Sequence, residues 1–304
     1  MKNYSYIVPH LALFFVVMVW GSSFVFTKIL LNAGLTAAQI FLLRFAISYV
    51  VLLTYSVFKK SHRWFARNWT DELKMVGLGI TGGSLYFLAE NSAMNYTSAI
   101  NTSIIVNACP LFTALLVGFV YKSERISARQ MTGTVLSLVG MAIVVLNGRF
   151  MLHLSPKGDL LAFVACMSWV VYSLIMVKMS KQYDSLFITR KVFFYGVLTI
   201  LPYFIIDPGM PSLSLLVRTD VVLNLVYLSV ISSVACFLLW NWAINKLGVV
   251  ITTNYIYLNS PSTILFAWWL IDETVTPWVL LGTLLLIYGL YMINQKKKTL
   301  PVRQ

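Results

Sequence analysis

This chain writes one pattern twice, at an offset of about 150 residues, in segments too apolar to face water. Phe87, Leu88, Asn91, Ala93 and Asn95 match Phe237, Leu238, Asn241, Ala243 and Asn245 at an offset of 150. Glu124, Gly133, Thr134 and Gly140 match Glu273, Gly282, Thr283 and Gly289 at 149, and Trp20 and Trp169 share that register. Ten apolar segments can be drawn, at roughly 10–30, 36–57, 74–92, 98–120, 129–147, 158–178, 187–206, 221–243, 250–271 and 276–294. Each is near the ~17–25 residues that a helix needs to cross about 30 Å of hydrocarbon. Backbone groups in lipid must be bonded within the segment, and these segments are too long for barrel strands. The expected fold is therefore an all-α polytopic membrane protein with ten transmembrane helices. Two domains follow, 1–149 for the first five helices and 150–304 for the second five with a short basic tail.

Composition agrees. The 304 residues are 59% hydrophobic and 11% charged, against about 25% charged in soluble domains. Too few charges exist to cover a globular surface, and the short loops leave no room for a soluble insert. The first apolar run is long and aromatic and Lys2 alone precedes it as a basic residue, so it reads as a retained helix rather than a cleaved signal. Cys109, Cys166 and Cys236 sit in apolar helices without metal-ligand or disulfide spacing. No metal or cofactor is expected.

A net charge of +13 raises nucleic acid as a partner, and its distribution argues against one. Lys2, Lys59, Lys60, Arg63, Arg67, Lys74, Lys122, Arg125, Arg129, Lys178, Lys181, Arg190, Lys191, Lys246 and the tail cations 296–298 and 303 fall on one side of the ten-helix topology. Arg149, Lys157 and Arg218 fall on the other, and Lys28 and Arg44 lie within helices. This is the positive-inside pattern. It sets both termini in the cytoplasm, makes a cell inner membrane the expected location, and gives the tri-lysine tail to anionic lipid. Five helices per copy is an odd number, so the second copy enters the membrane from the opposite face. Glu124 then ends the fourth segment on the cytoplasmic side and Glu273 ends the ninth on the outer side. Inverted repeats support alternating access to a site between the halves.

The repeated motifs resemble the drug/metabolite transporter superfamily and, within it, the ten-helix EamA family. Those motifs are Trp20-Gly21-Ser22-Ser23-Phe24, the run from Ala93 to Ala99, the run from Pro110 to Leu116, Ser123-Glu124-Arg125, Trp240-Asn241-Trp242-Ala243-Ile244, Pro261 and Asp272-Glu273. The resemblance runs from Trp20 to Asn294. Ser123 and Asp272 stand where the family usually has glycine before each glutamate. The resemblance implies secondary transport or export of small metabolites, often amino acids, through a central cavity between the halves. It also implies that the fifth and tenth helices aid dimer-like packing.

Candidate site residues follow from cost. Arg44 lies well inside the second segment, where an unpaired arginine costs at least about 2.5 kcal/mol. It attracts a substrate carboxylate or pairs with Glu90, a carbonyl or the aqueous rim. Glu90 is the acidic residue within an apolar stretch. It binds a substrate amine, carries a coupling proton, or pairs with Arg44 or Lys28. The repeat mates Asn91 and Asn241, and Asn95 and Asn245, suit either a binding cavity or interhelical hydrogen bonds. Trp20 and Trp169 recur in register and are read as cavity or gate residues, with Phe24, Tyr86, Tyr172 and Tyr257 among the aromatics that line the cavity or pack the bundle. Pro110 and Pro261 break or kink the fourth and ninth helices. The small faces Gly133-Gly140 and Gly282-Gly289 allow close packing inside a monomer or in a homodimer.

An enzyme has little to stand on: no HExxH, no Walker A loop and only scattered histidines at His10, His62 and His153. A channel would need repeated polar rings, and a non-transporting scaffold would not need the duplication. The preferred reading is a carrier, an exporter of amino acids or related compounds that meets membrane lipid, a small-molecule solute and a coupling proton or exchanged solute. Nucleotide sugars and drug-like solutes stay open as alternatives.

Overall fold

A computed structural model describes residues 4–58, 63–93, 96, 99–121, 126–146, 155–206, 209–271 and 276–295. All regular structure among them is helical. We name the rods α1 (Tyr4–Asn32), α2 (Ala37–Phe58), α3 (69–93), α4 (99–120), α5 (Ala128–Leu146), α6 (Pro156–Gln182), α7 (Ser185–Ile200), α8 (Thr219–Leu247), α9 (249–271) and α10 (Pro277–Asn294). Among the described residues, six continuous stretches are long and apolar enough to cross a membrane: α2, α5, α6, α8, α10, and α7 with its extension to Ile206. The chain is thus an all-α polytopic membrane protein.

Three of the other rods are interrupted. A π-helical turn, Ile80–Ser84, divides α3. A second π segment, Tyr227–Ala235, lies in α8 at the position the 150-residue offset assigns to the first. In α4 the helix stops at Val106 and restarts at Cys109, with Pro110 in the new first turn. Proline's missing N–H has no partner to lose there. In α9 a 3-10 turn, Tyr255–Leu258, precedes the stretch Asn259–Ile271 that carries Pro261.

Local chemistry sets the ends. The Asn68 side chain accepts the Asp71 N–H at 2.8 Å and Asp184 accepts the Phe187 N–H at 2.8 Å, filling orphan donors at helix starts. Gly34 and Gly248 take φ of 106° and 86° in the turns after α1 and α8, a region that glycine enters without a Cβ clash.

The exterior is apolar. Leu11, Phe14, Leu280, Leu284, Ile287 and Tyr291 are exposed, as lipid-facing side chains are. Inside, α1 packs on α8 and α9, α6 packs on α3 and α4, α7 packs on α2 and α3, and α5 packs on α10. The last contact is glycine-mediated: a Cβ on Gly133 would lie 2.6 Å from the Gly289 carbonyl oxygen, and one on Gly140 would lie 2.6 Å from that of Gly282. The pairing runs in opposite directions along the two helices, so they cross antiparallel. The small-residue faces are consumed here, within one chain. The sequence had left a homodimer open for them.

Candidate functional site

Side chains from α1, α2, α3, α6 and α8 meet in the middle of the bundle. Trp20 stands edge-on to Trp169, with ring centroids 6.2 Å apart at 86°. It also touches Phe237 at 5.7 Å and Trp240 at 5.0 Å. Trp169 stacks on Tyr172 at 5.0 Å and meets Tyr86 at 5.5 Å. Such offset and edge contacts match the ring quadrupoles. The repeat mates Trp20 and Trp169 therefore meet at the centre. The buried indole nitrogens of Trp169 and Trp240 make no hydrogen bond among the described residues.

Arg44 is buried beside this cluster. Its Nε donates to Ser233 Oγ at 2.5 Å and its Nη2 to Ser232 Oγ at 3.0 Å. Its guanidinium carbon lies 5.9 Å from the Phe87 ring centre. The Ser232 carbonyl accepts the Trp20 indole N–H at 2.9 Å, so one residue of the α8 π segment holds both the arginine and the tryptophan. Ser48 Oγ donates to the Ser229 carbonyl at 2.9 Å and ties α2 to the same segment. A π turn leaves carbonyls out of the usual ladder and often marks a functional site.

The pairing of Arg44 with Glu90 weighed from sequence does not form among the described residues, where the ion pairs are Lys74–Asp71, Lys191–Glu72 and Arg218–Asp220. Glu90 instead accepts from Tyr86 Oη at 3.0 Å, while staying within electrostatic range of Arg44. Two serine hydroxyls solvate the guanidinium, and among the described residues no carboxylate forms an ion pair with it.

The other sequence candidates sort by their partners. Asn241 is buried, and its amide is used at both ends: Tyr172 Oη donates to Oδ1 at 2.8 Å and Nδ2 donates to Thr189 Oγ1 at 2.9 Å. It struts α6 to α7 and does not present a free group. Asn245 donates to the Ser180 carbonyl. Tyr257 is fully buried in a cluster with Met141, Leu286 and Leu290, and makes no ring contact with the central tryptophans among the described residues. Asn95, Glu124, Asp272 and Glu273 lie outside the described residues, and for Phe24 and Asn91 only the backbone is described. Sequence reasoning missed Ser232 and Ser233: the adjacent pair stands out in an apolar helix, but nothing in the sequence says which rod it bonds.

The description "EamA-like transporter family" belongs to a family model that matches this chain twice, over residues 8–146 and 156–295. The chain belongs to the EamA-like transporter family. It is a multi-pass membrane transporter of small solutes, and its family is one of carriers rather than enzymes. Among similar proteins, an uncharacterized transporter of Archaeoglobus fulgidus is 28% identical, over 95% of this chain and 98% of its own length. A probable terminal-alkyne amino-acid exporter of Streptantibioticus cattleyicolor is 26% identical, over 94% and 93%. A probable amino-acid metabolite efflux pump of Escherichia coli is 24% identical, over 91% of each chain. A crystal structure of another protein superposes with a TM-score of 0.78 at 17% identity, covering 96% of this EamA-like chain and 99% of its own. At that identity the likeness speaks for the fold alone.

Proposed function

We propose that this EamA-like protein exports amino acids or closely related metabolites by alternating access, with Arg44 taking the substrate carboxylate and Glu90 facing the amine. The observation that carries the reading is Arg44 itself. It is buried beside an aromatic cluster at the meeting point of five rods, held by two hydroxyls and by no carboxylate among the described residues. A guanidinium prefers bidentate carboxylate partners. Glu90 supplies the opposite charge a short way along α3, and the tryptophans give the apolar walls. Two of the relatives carry amino-acid export in their names.

The ten rods are ten membrane crossings in this reading, arranged as two inverted five-helix repeats, 1–149 and 150–304, with both termini in the cytoplasm of a cell inner membrane. The double match of the family model, the contact between Trp20 and Trp169 and the paired π segments support it. Glu90 would carry a coupling proton, or an exchanged solute would drive the cycle. A homodimer would use a face other than the glycine stripes of α5 and α10. Pro110 and Pro261, each beside a break in its helix, would serve as hinges.

The test is counterflow in proteoliposomes with a pooled set of labelled amino acids and metabolites, with and without a pH gradient, for wild type and Arg44→Ala. Saturable flux of amino-acid-like solutes, lost in the folded variant, is the expected result. Flux confined to nucleotide sugars or drug-like solutes would overturn the substrate class. Flux unchanged in Arg44→Ala would remove Arg44 from the site.

A further inference from the structure

We infer that the basic end of the bundle carries a headgroup site for an anionic phospholipid, walled by α2, α7 and the segment before α3. A pocket of about 170 Å³ lies there. Its polar lining is Arg190, Lys191 and Tyr195. Lys191 is already paired, to a Glu72 carboxylate that also accepts from Tyr195 Oη and from the Ala66 N–H. Arg190 is different. It is 5% exposed, donates from Nη2 to the Arg63 carbonyl, and makes no ion pair with a carboxylate among the described residues, with Asp184 and Tyr49 only within electrostatic range. Its guanidinium carbon sits 5.5 Å from the Trp64 ring centre. A buried guanidinium carries five donors in a fixed fork, and a phosphate is the oxyanion that fork matches besides a carboxylate.

The surroundings select a lipid over a free anion. The remaining lining is aromatic, with Tyr49 and Phe194 in ring contact at 5.4 Å. Phe194 is 37% exposed, and one turn further Leu198 is 50% exposed, so an apolar track leads from the pocket along the lipid-facing side of α7. Trp64 and Phe65, which line the pocket, are exposed, and aromatic side chains of this kind gather at membrane interfaces. Arg63, whose carbonyl accepts from Arg190, and Arg67, which shares the Tyr183 ring with it, add positive charge nearby. A phosphate at Arg190 would set its acyl chains on Phe194 and Leu198. A soluble anion has no use for that track. Basic pockets between helices at a membrane end bind anionic headgroups in this way.

The experiment is native mass spectrometry on the delipidated full chain. Phosphatidylglycerol, phosphatidylcholine of the same acyl chains, and inorganic phosphate are offered in separate arms. Wild type should retain phosphatidylglycerol over phosphatidylcholine by about fivefold or more, the weight of one cation near an anionic headgroup. Arg190→Gln should erase that preference, and phosphate should not displace the lipid. Should Arg190→Gln fail to fold, Trp64→Ala, a change at a half-exposed ring, decides by a reduced preference. Equal retention of the two lipids by wild type, or a preference unchanged in the folded variant, overturns the site. Displacement by phosphate assigns the pocket to a soluble anion and overturns the lipid.

Discussion

Gly140 and Gly282 face each other across the α5–α10 crossing so closely that a Cβ on either would lie 2.6 Å from the other's carbonyl oxygen. Gly133 and Gly289 repeat the relationship one crossing-length away, at 2.6 and 2.5 Å. Each glycine meets the counterpart of its partner's mate, the exchange that a two-fold relation between equivalent surfaces demands. Ser137 Oγ donates to the Leu286 carbonyl at 3.2 Å between the two glycine pairs. The obstacles to a Cβ on Gly140 are backbone atoms, which cannot rotate away. Gly140→Ala should therefore destabilise the protein by about 1–3 kcal/mol, the usual cost of overpacking, read as a lower midpoint in a thermal size-exclusion assay. Gly77→Ala is the matched control, because its new Cβ meets only the mobile Ile175 Cδ1 at 3.2 Å. An equal loss in both variants would show that the α5–α10 seam has no special tightness.

Arg44 depends on hydroxyls for its position, so removing them should change recognition before it changes folding. Ser232→Ala and Ser233→Ala each delete one bond to a charged donor, which contributes about 1.5–3 kcal/mol. The double variant should raise the KM for counterflow by about tenfold or more, with kcat less affected, if Arg44 binds the solute. A double variant with unchanged KM and a lowered melting midpoint would make the serines structural supports alone.

The six rods long and apolar enough to span, among the described residues, were legible because membrane thickness fixes their length. The apolar segment at 36–57 becomes Ala37–Phe58, and that at 276–294 becomes Pro277–Asn294. The breaks were less so. Pro110 announced the one in α4, because its ring removes a ladder bond and crowds the preceding turn, which kinks or breaks a helix. The π segments at 80–84 and 227–235 shift the hydrogen-bond ladder by one residue, and no residue type encodes that shift. Trp20 and Trp169 could be picked out by register, and Arg44 by the cost of its charge. Its partners could not, since a serine in an apolar helix reads the same whether it bonds its own turn, as Ser56 does to the Leu52 carbonyl, or a neighbouring rod. Asn241 was open from sequence between a cavity group and an interhelical bond, and in the fold a tyrosine and a threonine hold both its ends.

That strut gives its own prediction. Asn241→Leu leaves Tyr172 Oη and Thr189 Oγ1 without this shared partner in a buried setting, and each such loss costs about 1–3 kcal/mol. Thr189 can fall back on the Ser185 carbonyl, to which it already donates at 2.7 Å. Most of the penalty should therefore come from Tyr172, and the double variant with Tyr172→Phe should recover part of the lost thermal midpoint. Solute KM should hardly move in the folded fraction. A large KM change with full stability would return Asn241 to the binding site.

The charged network at the start of α3 should make stability depend on acid. Asp71 precedes the apolar part of α3, and its carboxyl lies below its ordinary value of 3.8. The Lys74 ammonium, bonded at 2.7 Å, is the main cause. Burial pushes the other way, and Tyr183 Oη, donating at 2.9 Å, adds to the lowering. Burial likewise pushes Glu72 up, but its bonds from Lys191, Tyr195 and the Ala66 N–H leave it below the usual carboxylate range. A carboxyl depressed in the folded state binds fewer protons there than in the unfolded chain. Its contribution is then complete above the unfolded value and lost as pH falls through the folded one. The thermal midpoint should stay level from neutral pH to about one unit above the ordinary carboxylate range, then drop steeply. Asp71→Asn should start lower at neutral pH and show a shallower acid drop, measured by the same thermal assay. Parallel curves for wild type and variant would mean that Asp71 has the same proton affinity folded and unfolded, and that the acid loss comes from elsewhere.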